Sequence, residues 1–133
     1  MANFKIITNN PMVWDEYREF TEYIDTAEDV FVICRNAIHQ GAVLINHPLS
    51  GSIPPHLCPY KSLVISKEAN ATTDFLSLRL IEEAMAALNK PDERNGAAQE
   101  DIRSNLQVLK DFQLIDLDLL NSALAALPSE YHT

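Results

Sequence analysis

Three short runs of β-favouring residues, Phe4–Thr8 (FKIIT), Ala42–Asn46 (AVLIN) and Ser62–Ser66 (SLVIS), constrain this chain more than any other feature. None can bury itself, and a strand apolar at consecutive positions needs cover on both of its faces. The interval between the first two runs supplies cover of helical period. Val30, Ile33, Cys34, Ala37 and Ile38 fall at i, i+3, i+4, i+7 and i+8, one apolar face of a helix. Asp25 or Thr26 can cap it, Glu28 and Asp29 suit the positive end of its dipole, and Gly41 stands where a C-terminal cap belongs. A strand over Val30–Ile33 is the competing reading, because the run is β-branched. The periodicity through Ile38 and the caps favour the helix.

The remaining segments fit the same pattern. Asn9-Asn10-Pro11 stops the first strand and starts a helix to about Glu19, with Asn10 as cap and Pro11 in the first position. Val13, Trp14 and Tyr17 form its stripe, and Glu22–Ile24 reads as a short strand after it. A helix begins at Thr73 or Asp74 and runs to about Leu88, with Leu76, Leu80, Ile81, Ala84 and Leu88 on one face. Asn89–Gly96 is a polar break. Helices over about Ala98–Asp111 and Asp116–Leu127 complete the chain, ended by Pro128. The expected fold is therefore α/β, in three layers. A mostly parallel sheet of about four strands carries helices on both faces and is followed by a helical C-terminal third. One domain is expected over residues 1–133, with a βαβαβ-β core over 1–67 and a helical portion over 72–128.

Charge removes several functions. Ten basic residues against nineteen acidic ones leave a net charge of −9, which repels nucleic-acid backbones and anionic membrane faces. The longest apolar runs, Val30–Cys34 among them, have five residues, far from the roughly 18 of a membrane span. The N-terminus carries no secretion signal, and Cys34 and Cys58 do not make a disulfide framework, so a cytoplasmic location is expected.

The segment from His47 to Tyr60 is the unusual one. Four of the seven prolines lie in it: Pro48, Pro54, Pro55 and Pro59. Proline fixes φ and restricts the residue before it, so the loop is stiff. Loops beyond about 12–15 residues without regular structure are often functional in compact domains. The bland reading is that this one wraps a sheet edge and closes the core under Leu49, Ile53 and Leu57. Ligands of open parallel sheets bind beyond the carboxyl ends of the strands. If the first and third strands are parallel, Thr8-Asn9-Asn10 and His47–Ser52 leave the sheet at one edge, facing the N-terminus of the Pro11 helix. Backbone N–H groups there suit a small anion. Asn9, His47, Ser50, Ser52 and Lys61 can add donors, giving a candidate site of Thr8, Asn9, Asn10, His47, Ser50, Gly51, Ser52, Tyr60 and Lys61. Turn chemistry and capping explain Asn9 and Asn10 equally well.

Other chemistry is thinly represented. His47, His56 and Cys58 match no zinc spacing, so no metal is expected. Cys34 lies on an apolar helix face and reads as a packed small hydrophobe, whereas Cys58 is expected to be exposed. Three glycines cannot make a GxGxxG or Walker loop, and Ser50-Gly51-Ser52 is not a nucleophile elbow. No cofactor is indicated and catalytic residues are unknown, which leans away from an enzyme. Leu117, Leu119, Leu120, Leu124 and Leu127 offer surface for a homodimer or simply close the monomer's core.

The blocks Lys5–Pro11 (KIITNNP), Gly41 followed by a strand and His47-Pro-Leu-Ser-Gly-Ser, and Pro59-Tyr60-Lys61-Ser62 resemble the GrdX family over roughly residues 4–67. Those are small accessory proteins encoded beside glycine, sarcosine and betaine reductase genes of anaerobic bacteria. The resemblance implies a setting of amino-acid reduction and contact with reductase components, and hands over no catalytic residues. Three functions follow as expectations: an accessory or regulatory protein binding a small anionic ligand at the TNNP/HPLSGS crevice, a docking module for a reductase subunit, or an enzyme using His47 as acid or base.

Overall fold

The computed structural model describes residues 3–49, 57–88 and 96–131. The elements are β1 (Phe4–Thr8), α1 (Pro11–Glu16), β2 (Thr21–Tyr23), α2 (Ala27–His39), β3 (Ser62–Ser66), α3 (Phe75–Leu88), α4 (Gly96–Ser104) and α5 (Leu106–Ala125). Short 3₁₀ turns occupy Arg18–Phe20 and Ser129–Tyr131.

The three strands form one sheet in the order β2-β1-β3. β1 pairs with β2 in parallel and with β3 antiparallel, placing Ile6 opposite Val64, Ile7 opposite Leu63 and Thr8 opposite Ser62. Side chains alternate across a strand, so these pairs sort into two faces. Ile7, Leu63 and Ile65 meet Val30, Phe31, Cys34 and Ile38 of α2 and Ile81 and Ala84 of α3. Ile6 and Val64 meet Val13 of α1 and Leu120 of α5, with Tyr17, Leu117 and Leu124 packed around them. Helices thus cover both faces.

Two expectations about the sheet need correction. Among the described residues it has three strands, not four, and it is mixed, not mostly parallel. Ala42–Asn46 runs beside β3 but makes a single bridge, Leu44 with Ile65. Backbone bonds flank that bridge, Ile45 N–H to the Val64 carbonyl at 2.8 Å and Ser66 N–H to the Val43 carbonyl at 2.8 Å. Side chains then take the next positions of the ladder. Val64 N–H donates to Asn46 Oδ1 (2.8 Å), Asn46 Nδ2 donates to the Ser62 carbonyl (3.1 Å), and Val43 N–H donates to Ser66 Oγ (2.8 Å). The chain leaves this segment at Asn46 and re-enters the sheet at Ser62 beside it, so β3 runs the opposite way. Burial on both faces sets the apolar content of a strand and leaves its direction open.

The helices begin where side chains supply caps. Asn10 Oδ1 accepts from Met12 N–H (3.0 Å), and Thr26 Oγ1 accepts from Asp29 N–H (3.1 Å). Asp74 Oδ2 accepts from both the N–H (3.1 Å) and the hydroxyl (2.5 Å) of Ser77, whose Oγ in turn accepts from Leu44 N–H at 2.9 Å. α1 stops at Glu16, short of Glu19, because the chain tightens into the 3₁₀ turn. The last two helices divide at Asn105, whose Oδ1 accepts from Gln107 and Val108 N–H. Asp116 therefore stands in the middle of α5, not at a helix start. Of the polar break expected over Asn89–Gly96, only Gly96 falls within the described residues, as the first residue of α4.

Gly41 ends α2 with φ of +107°, and a Cβ added there would stand 2.1 Å from the Asn70 carbonyl oxygen. Asn70 N–H also donates to the Gly41 carbonyl at 2.8 Å, fixing the return from β3 against the end of α2. Gly41→Ala combines a left-handed φ with a backbone clash. It is expected to lower stability by about 2 kcal/mol or more, read as a reduced denaturation midpoint.

Candidate functional site

The edge where β1 ends gathers a buried polar cluster. Thr8 closes β1, Ser62 opens β3 opposite it, Asn10 caps α1, and α5 brings in Asp116 from more than a hundred residues away. Thr8 and Asn10 are fully buried, and Ser62 and Asp116 nearly so. Thr8 Oγ1 lies 2.7 Å from Ser62 Oγ and 3.0 Å from the Lys61 carbonyl, and accepts from Asn10 N–H at 3.0 Å. Ser62 Oγ lies 2.6 Å from Asp116 Oδ2. Asn10 Nδ2 donates to the same carboxylate oxygen at 3.0 Å and to the Gln113 carbonyl at 2.8 Å. Among the described residues, no buried side-chain nitrogen or oxygen lacks a partner.

The carboxyl of Asp116 lies beside Asn10, the cap of α1. Burial pushes its pKa above the ordinary aspartate range, while the bonds from Ser62 and Asn10 and the charge of Lys61 pull the other way. At the place where the sequence suggests a ligand, this carboxyl bonds the side chain of the α1 cap, Asn10. α1 itself is only six residues long.

Asn9, buried in the same turn, fastens the end of the Pro-rich loop. Its Nδ2 donates to the Pro59 carbonyl (2.8 Å), and its Oδ1 accepts from Lys61 N–H (2.8 Å). Tyr60 is tied to α5, its hydroxyl accepting from Gln113 Nε2 at 2.9 Å. Cys58, expected to be exposed, is buried: its thiol donates to the Tyr60 carbonyl at 3.3 Å, which folds it inward under the turn. Burial raises that thiol's pKa. Cys34 is packed in the core as expected, and burial raises its thiol as well. His47 is exposed, and its Nδ1 accepts from Leu49 N–H at 3.1 Å within its own turn. Ser50, Gly51 and Ser52, with residues 53–56, lie outside the described residues.

Beside this fastening opens a cleft of about 280 Å³. Asn9 and Leu57–Tyr60 form one wall, Asp25, Thr26, Ala27 and Glu28 at the start of α2 another, and Leu88, Ile102 and Arg103 close the far side. Of the residues singled out in the sequence, Asn9 and Tyr60 line it, while Thr8 and Asn10 lie buried behind. Lys61 does not line it but is bonded through its backbone to Asn9, which does. Sequence spacing missed the start of α2 and Arg103 in the cleft and Asp116 in the buried cluster. The first was read only as a cap, and Arg103 gave no signal among the charges of a helix surface. Asp116 did carry one, an acid four residues before Leu120 on the apolar stripe of α5.

With the geometry in place, comparison with known proteins is informative. The family model described as GrdX-like protein matches residues 5–125. The chain belongs to the GrdX-like protein family. The match runs beyond the N-terminal blocks through α5, so every member of the buried cluster and every wall of the cleft falls within the GrdX-like region. No curated protein and no solved structure matches the chain.

The cluster makes two expectations for stability. Asp116→Ala leaves Asn10 and Ser62 short of a buried acceptor and is expected to cost about 1–3 kcal/mol. Asp116→Asn keeps an oxygen for both donors and removes the titration. Because the folded pKa is raised, the carboxyl's contribution is full below the unfolded value of 3.8 and is lost as pH rises through the folded one. The Asn variant should therefore gain on the wild type as pH rises across that window, read as the difference in denaturant midpoints at stepped pH.

Proposed function

We propose that this protein is an accessory or regulatory protein that binds one small anionic ligand in the cleft between Asn9, the start of α2 and Arg103. The carrying observation is the convergence on that cleft of a helix N-terminus, a guanidinium and the stiffened Pro59-Tyr60 wall. Backbone N–H groups at the start of a thirteen-residue helix attract negative charge, and Arg103 adds a forked donor suited to carboxylate or phosphate. A volume of about 280 Å³ admits a molecule the size of an amino acid or a small phosphate ester. Asp25 and Glu28 at the rim oppose a multiply charged guest and favour one that is singly charged or carries a compensating ammonium. In the reductase setting implied by the family resemblance, such a ligand would report on amino-acid supply.

A second reading, docking on a reductase component, draws on large apolar side chains left at the surface. Phe75 and Leu76 at the start of α3 are 78% and 63% exposed, and Leu106 at the start of α5 is 76% exposed. Of the leucines that could serve a homodimer, Leu120 and Leu127 are buried and Leu117 and Leu124 pack against the core, while Leu119 is exposed.

The test is a melting-shift screen of phosphate, carboxylates and amino acids. A true ligand at about 100 times its Kd stabilises by about 2.7 kcal/mol. Arg103→Ala is expected to weaken that ligand at least tenfold, about 1.4 kcal/mol, without lowering the melting temperature of the free protein. Equal stabilisation of variant and wild type, or no shift with any anion, would sink the reading.

A further inference from the structure

The buried cluster contains a continuous line of exchangeable hydrogens. It runs from the Lys61 carbonyl through Thr8 Oγ1 (3.0 Å) and Ser62 Oγ (2.7 Å) to Asp116 Oδ2 (2.6 Å). Each hydroxyl has one hydrogen to donate, and Asn10 N–H occupies one acceptor position on Thr8. Two arrangements satisfy every group. With Asp116 ionised, Ser62 donates to the carboxylate and Thr8 donates to Ser62, leaving the Lys61 carbonyl with the long bond from Asn9 N–H at 3.4 Å. With Asp116 protonated, its O–H donates to Ser62, Ser62 donates to Thr8, and Thr8 donates to the Lys61 carbonyl. Asn10 Nδ2 donates to Asp116 Oδ2 in both.

We propose that Thr8, Ser62 and Asp116 act as a proton-sensitive relay that reverses its hydrogen-bond direction when Asp116 gains or loses a proton, and so tightens or loosens Lys61 against Asn9 on the wall of the cleft. The proton comes from solvent and resides on Asp116 Oδ2; no other bond forms or breaks. Asn9 holds Lys61 through its side chain and lines the cleft itself, so the far end of the relay lies one residue from the cavity. Gln113 of α5 also touches both ends, its side-chain amide donating to the Tyr60 hydroxyl and its backbone carbonyl accepting from Asn10 Nδ2, which donates to Asp116 as well. The groups facing the carboxyl are the Asn10 amide from α1, the Ser62 hydroxyl from β3, the Lys61 ammonium from the segment before β3 and the Cys58 thiol from the loop. Burial favours the protonated form most strongly, while the bonds from Ser62 and Asn10 and the charge of Lys61 favour the ionised one. A carboxyl balanced in this way is suited to respond to pH or to a charged neighbour in the cleft.

The relay does not depend on what occupies the cleft, and its test uses no ligand. Carbon-detected NMR on the labelled full chain follows Asp116 Cγ and the Lys61 carbonyl carbon through a pH titration. In the wild type both should move with one midpoint, above the ordinary aspartate value of 3.8. Ser62→Ala should leave Asp116 titrating while the Lys61 carbonyl no longer follows it. Thr8→Val, which keeps the shape of the residue, should give the same uncoupling and serves if the serine variant does not fold. Asp116→Asn should flatten both curves. A Lys61 carbonyl that ignores the Asp116 titration in the wild type, or follows it unchanged in whichever hydroxyl variant folds, overturns the relay.

Discussion

A carboxyl group withdrawn from water demands donors, and Asp116 draws its donors from two elements that are distant from it in sequence. Ser62 opens β3 and Asn10 caps α1, so α5 can dock in only one register without stranding a polar group. Apolar packing of Leu120 against Ile6, Val13 and Val64 supplies the attraction but tolerates sliding. The carboxyl sets the position. Tyr17 adds a further tie, its hydroxyl donating to Asn121 one turn beyond Leu117. In this sense the helical C-terminal portion is no appendage to an N-terminal core, because it completes the polar edge of the sheet.

The same edge explains why the sheet stops where it does. β3 could have carried a full fourth strand, since Val43–Asn46 lies beside it. Instead Asn46 and Ser66 place side-chain oxygens and nitrogens where backbone partners would stand, and Ser77 takes the N–H of Leu44. All these backbone groups are satisfied while regular pairing ends after one bridge. An edge finished by side chains offers no open ladder for another chain to join.

Much of this was legible from residue pattern. Helical periodicity and capping residues gave α2 and α3 to within a residue or two, and the Asn-Asn-Pro turn gave the end of β1 and the start of α1. Gly41 was readable as a helix terminator because only a left-handed φ suits that position. Strand direction was not readable, because Leu63, Val64 and Ile65 would be buried alike in either orientation. The division between α4 and α5 turned on Asn105, one polar residue among many in a region without a strong stop. The site was half legible. Thr8–Asn10 and Tyr60-Lys61 do come together, but sequence spacing cannot reveal that an aspartate from α5 bonds Asn10 and Ser62 beside them, nor that the cleft is lined by Asn9 and the start of α2.

That displacement changes the electrostatics of the candidate site. The protein carries nine excess negative charges, yet beyond about 8 Å such charges are largely screened at physiological ionic strength, so the near neighbours decide. At the start of α1 those neighbours include the buried carboxyl of Asp116. At the start of α2 the helix dipole and Arg103 oppose Asp25 and Glu28 at close range. Under the anion-binding reading proposed above, hydrogen-bond geometry then counts for more than long-range steering. A stiff wall then matters: the ring of Pro59 and the bonds from Asn9 and Gln113 hold the loop's end in place before a guest arrives, so little ordering cost is charged to binding.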